Sequence, residues 1–267
     1  MSCTTGQKSE ARGHIGQRVE FSLVDAGIWQ EASQTIEGRR DHLVSAEPFV
    51  LSRVQLETLE LLGKAILAFY GAVNRLHSAR EFDWVREYLD IGKGEEIVRH
   101  AGMKYHRQKL PCILRPDVLV TPGGFAVTEL DSVPGGFGHL ECLSTTYREA
   151  GFDLAGHPDG VAEGFRRMIA DAAGYDDPVC AIVVSDESED YRPEMRYLAR
   201  TLRGRGARFF CVHPKELAFT EDGLYLEVEA QRLRIDVLCI VSTSFSTCRI
   251  SPRPSLSPTR PGRSWWS

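Results

Sequence analysis

The stretch that most restricts the fold is VCAIVVSDESEDYRPEMRYLARTLRGRGARFFCV, residues 179 to 212. Its ends are short apolar runs, Val179 to Ser185 and Ala207 to Val212. Between them Pro193 to Leu202 has helical spacing, with proline in the first turn, where a missing N–H costs nothing. A strand without polar alternation leaves no face for water, so both faces must be covered. Two such strands joined by a helix form a β-α-β unit, which implies parallel strands under covering helices and an α/β fold.

The chain before this unit reads as helical. Val54, Leu56, Leu59, Leu62, Ile66, Phe69 and Val73 recur at helical spacing and predict an amphipathic helix from Ser52 to about His77. Further helices are expected over Glu81 to Ile91, Glu95 to Ala101, His139 to Ala150 and Asp159 to Ala173. After the unit, Leu217 to Phe219 and Leu224 to Leu226 flank Glu221-Asp222-Gly223 as a small hairpin, and Arg234 to Ile240 is a further strand. The expected organisation is a poorly defined segment over 1–50, one α/β domain over 51–240, and an irregular tail over 241–267. That tail consists mostly of Ser, Thr, Pro and Arg, and no acidic residue follows Asp236, so it cannot build a core. It reads either as disordered or as the product of a frame error, since one back-translation of Ile240 onward yields a string of globular spacing in another frame.

A net charge of −5 offers no basic footprint for a phosphate backbone, so a small molecule is the expected partner and nucleic acid is not. The first twenty residues hold no apolar run, and nowhere do about 18 apolar residues follow one another, which predicts a cytoplasmic protein without a membrane span. Seven scattered cysteines without a C-x-x-C pair argue against a disulfide framework or a structural zinc site.

The stretch ILRPDVLVTPGGFAVTELDS, Ile113 to Ser132, carries the candidate chemistry. Its two arms are rich in strand formers around Pro122-Gly123-Gly124, a predicted three-residue loop. Side chains alternate along a strand, so Arg115 and Asp117 share one face of their arm, and Glu129 and Asp131 share one face of theirs. A three-residue loop pairs Thr121 with Phe125 and sets Asp117 opposite Glu129 and Arg115 opposite Asp131. A two-residue loop would turn the two pairs to opposite faces. Opposed carboxylates repel, and a hard divalent cation such as Mg²⁺ would relieve the repulsion, with Arg115 beside it to brace a phosphoryl group. The same residues equally suit a solvated hairpin with one cross-strand ion pair. Ser132 and the glycines to Gly138 precede a predicted helix, either as a plain turn or as an anion cradle of backbone N–H groups.

R-P-D at 115 to 117 and E-L-D at 129 to 131 resemble, in order and spacing, a motif of the glutathionylspermidine synthase family, circularly permuted ATP-grasp ligases. The resemblance covers roughly residues 80 to 240 and implies a pre-ATP-grasp-like α/β fold. It makes Arg115 the catalytic arginine and Asp117, Glu129 and Asp131 the magnesium ligands, although Asp131 stands where the family often has Asn. Ser132, Gly135 and Gly136 correspond loosely to its substrate-side loop. The implied activity is ATP-dependent formation of an amide from a small carboxylate and an amine through an acyl phosphate, with Mg²⁺ and ATP as cofactors. The lysine-bearing ATP clamp of such ligases is expected to be missing, which makes the chain a truncated ligase. The alternative is a non-catalytic nucleotide- or small-molecule-binding α/β module.

Other signals are weaker. Asp186 to Asp190 lies at the carboxyl end of a strand, where open α/β sheets bind ligands, yet acids before a helix more often serve as caps. His139 and Cys142 are three residues apart, which alone does not make a zinc site. Arg99-His100 and His106-Arg107 read as solvated basic positions that could meet an anionic substrate.

Overall fold

The computed structural model describes residues 4–29, 43–104, 106, 109–131, 135–156, 159–241 and 248–250. In chain order the elements are α1 (Thr4–Asp25), α2 (Arg53–Ser78), α3 (Asp83–Asp90), α4 (Glu95–Ala101), the strands β1 (Arg115–Thr121) and β2 (Gly124–Asp131), and then α5 (Phe137–Glu149) and α6 (Gly160–Ala173). There follow β3 (Cys180–Val184), α7 (Arg192–Gly204), β4 (Phe209–Val212), β5 (Leu217–Thr220), β6 (Gly223–Val228), β7 (Gln231–Arg234), β8 (Val237–Val241) and β9 (Cys248–Ile250). They form two compact units, one of residues 50–130 and one of 1–49 with 131–267.

The larger unit is built on a four-stranded sheet in the order β4-β3-β8-β9. β3 pairs in parallel with β4 and with β8, as the β-α-β pattern requires, and all five of its residues are buried. Its alternation feeds two layers. Val179, Ala181 and Val183 join Leu226, Ile235 and Leu238 in one core, against the antiparallel sheet β5-β6-β7. Helices α6 and α7 pack on the sheet as well, and the ring of Phe165 on α6 meets Phe209 of β4 at 6.1 Å. β7 is a strand that the sequence reading omits: Gln-Arg-Leu-Arg has too little apolar character to signal one, and its order comes from pairing with β6.

The N-terminal segment, left undefined by its polarity, forms α1. Val19 and Leu23 are fully buried there against Cys142 and Tyr147 of α5, so two apolar residues one turn apart suffice once a partner helix covers them. Of the expected tail only Val241, the buried end of β8, and β9, which pairs antiparallel with β8, are among the described residues.

The smaller unit holds α2 to α4 and the β1-β2 hairpin. Ser52 starts α2 as a reciprocal cap: its hydroxyl accepts the Gln55 N–H at 3.2 Å, and its own N–H donates to Gln55 Oε1 at 2.8 Å. Among the described residues no helix is long and apolar enough to cross a membrane.

Candidate functional site

Arg115 and Asp117 stand on the same face of β1, about half exposed, with Arg115 Nε 3.9 Å from Asp117 Oδ1. Glu129 is exposed near the end of β2, and Asp131, partly buried, closes that strand. The turn differs from expectation. The strands end at Thr121 and resume at Gly124, leaving Pro122 and Gly123 as a two-residue connection. Gly124 is the reason a tight turn fits: its φ of +122° is one that residues with a Cβ rarely adopt, and the Thr121 hydroxyl donates to its carbonyl at 3.0 Å. Across the hairpin the Thr128 hydroxyl donates to the Asp117 carbonyl at 3.3 Å. The convergence of Asp117, Glu129 and Asp131 that a three-residue loop implies is not formed: among the described residues no three His, Cys, Asp or Glu side chains are grouped to hold a metal ion.

Ser132 lies outside the described residues. Gly135 and Gly136 belong to a close helix contact. The Gly136 N–H donates to Glu194 Oε1 at 2.7 Å, and the His139 N–H donates to Glu194 Oε2 at 3.2 Å. These N–H groups at the start of α5 are taken by the protein's own Glu194, 5% exposed. A Cβ on Gly135 would collide with the Tyr191 ring, and one on Gly138 with the Glu194 carbonyl, so both glycines are demanded by packing. Sequence reasoning missed Glu194 because an acid in the first turn of α7 looks like ordinary helix capping.

The carboxyl ends of β3 and β4 carry a second polar group. The His213 imidazole accepts the Lys215 N–H at Nδ1 (3.1 Å), so its Nε2 bears the proton and donates to Asp186 Oδ1 at 2.9 Å. That bond holds the Asp186 carboxyl below its usual range. Arg192 pairs with Glu189 at 3.0 Å and Asp186 at 3.6 Å, and it donates to the Ser185 carbonyl at 3.3 Å. Two buried atoms at this edge, Ser185 Oγ and Arg192 Nε, have no partner among the described residues. The acidic run thus serves local ion pairs, and His213 and Arg192 were legible only as polar residues next to a strand end or a helix start.

The remaining candidates resolve simply. Cys142 is buried and its thiol is pushed up by that burial, while burial raises Cys211 to about 11, so neither is poised as a thiolate. Arg99 pairs with Glu96, the His100 and His106 rings lie 5.0 Å apart, and Arg107 lies outside the described residues.

The fold is similar to that of a glutathione synthetase-like effector from Globodera pallida, solved in its apo form, with a TM-score of 0.50 and 15% identity. The match covers 84% of this chain and 56% of that one. The likeness is one of fold: a mixed α/β architecture of the glutathione synthetase-like kind. No protein-family model matches the chain, and no curated protein matches its sequence.

Proposed function

We propose that the chain is the pre-ATP-grasp portion of an ATP-dependent ligase that joins a small carboxylate to an amine. The observation that carries this reading is the position of R-P-D, exposed on a strand within a glutathione synthetase-like fold. In an amide-forming reaction through an acyl phosphate, negative charge builds on the transferring phosphoryl group, and an exposed guanidinium is the group that meets it. Arg115 has that role in the proposal. Magnesium and ATP belong to the same reading as cofactors, and Asp117, on the same face as Arg115, is the carboxylate offered to the cation. The chain spans 56% of the length of the structure it resembles, so turnover in the isolated chain is itself part of the proposal.

A second reading, a non-catalytic binding module of the same α/β fold, is favoured by one observation, the two-residue turn of the hairpin. Phosphate release from ATP and magnesium separates the two. The ligase reading expects release that needs both an acid and an amine and that falls by about a hundredfold in Arg115→Ala and Asp117→Asn, the scale of losing one stabilising contact at the reacting group. Ligand binding without phosphate release, or release indifferent to both substitutions, removes the ligase reading.

A further inference from the structure

The smaller unit holds a cleft of 280 Å³ between the C-terminal half of α2, the end of α3 and residues 109–111. Its walls are fixed by polar contacts of their own. His77 Nε2 lies 3.1 Å from Asp90 Oδ1, with side chains only 20% and 13% exposed, and this ties the end of α3 to α2. Asn74 Nδ2 donates to the Lys109 carbonyl at 3.1 Å and ties down the segment before β1. Tyr70, Val73, Asn74 and His77 recur at i, i+3, i+4 and i+7, which turns one face of α2 into the cleft.

The lining divides by chemistry. Val73, Leu89, Leu110 and Pro111 supply apolar surface. Lys93 and Lys109 add two exposed ammonium side chains, and among the described residues no Asp or Glu lines the cleft. The nearby Asp90 carboxylate is itself held by the lining, with Lys93 Nζ at 3.6 Å and His77 Nε2 at 3.1 Å.

We propose that this cleft binds a small organic acid, its apolar body on Val73, Leu89 and Leu110 and its carboxylate against Lys93 and Lys109. Small-molecule sites pair an apolar lining with a few polar groups that fix orientation, and their volumes run from roughly 300 to 1,000 Å³. At 280 Å³ the cleft falls just short of that range, which limits its ligand to about one ring. The apolar surface disfavours a bare inorganic anion, and the lysines disfavour a neutral molecule of the same shape. The site stands apart from the ligase reading, because none of its residues belongs to the hairpin or to the sheet edge.

The test titrates the full chain with benzoate, with benzyl alcohol and with inorganic phosphate, by calorimetry and by amide chemical shifts. Benzoate is expected to saturate and to shift the amides of Val73, His77 and Leu89. Benzyl alcohol and phosphate are expected to bind at least about tenfold more weakly, a difference of one ion-pair-sized contribution. Lys93→Gln combined with Lys109→Gln, two exposed substitutions, should lower benzoate affinity by about tenfold and leave the rest of the spectrum unchanged. Benzyl alcohol or phosphate binding as tightly as benzoate, an unaffected double variant, or no saturation by benzoate would each overturn the proposal.

Discussion

In the α/β unit Glu141, Glu194 and Asp236 are all but excluded from water, and each accepts at least one backbone N–H, whereas on the hairpin Asp117 and Glu129 face solvent. Glu141 accepts the Ala162 N–H at 2.8 Å near the start of α6 and pairs with Arg205. Asp236 accepts the Val179 N–H at 2.9 Å at the entry to β3. A carboxylate leaves water only when hydrogen bonds and charge replace its hydration, so these three are committed to joining elements. The hairpin carboxylates carry no such obligation, and their placement is set by turn geometry alone. The difference separates acids that build the scaffold from acids open to a ligand.

That division can be broken by measurement. Glu141→Ala, which leaves the Ala162 N–H and Arg205 without their partner, should lower unfolding free energy by about 3 kcal/mol, seen as a lower urea midpoint at unchanged slope. A loss under about 1 kcal/mol would place Glu141 with the surface acids. Glu163 on α6 is an intermediate case. Hydrogen bonds from Arg166 hold its carboxyl below the ordinary glutamate value of 4.5, so the charged form stabilises the fold. Its contribution is complete above the unfolded glutamate pKa and is lost as pH falls through the depressed folded value. Glu163→Gln should therefore be less stable than the parent at neutral pH, by under about 1 kcal/mol because its arginines are partly solvated, and the gap should close in acid. A gap that stays constant across the acid range would show that the ion pairs are not its source. Asp117→Asn and Glu129→Gln should each change stability by no more than about 0.5 kcal/mol in urea unfolding. A larger loss at either would mean that the hairpin acids also hold structure.

The same contrast governs what the sequence discloses. The β3-α7-β4 unit was legible because unbroken apolar runs such as Val179 to Val184 have only one way to be satisfied, burial on both faces. The fold class and the helices α2 and α4 follow from spacing in the same way, with Ser52 marking where α2 starts. The hairpin was legible as two strands, but its turn was not. Pro-Gly-Gly is compatible with two or three loop residues, and the choice rests on the backbone of Gly124, which leaves no trace in composition. Glu194 and β7 escaped notice because each is specified by a distant partner, the α5 N-terminus in one case and β6 in the other.

Gly138 has a wider consequence. With no side chain there, α5 and the first turn of α7 touch main chain to main chain, and the Glu194 carboxylate clasps the same end. A joint of that kind has no slack: one helix can neither roll nor slide along the other without a collision. Whatever rearranges when a ligand arrives must do so around this pair, which would travel as one rigid bracket under the glycine loop.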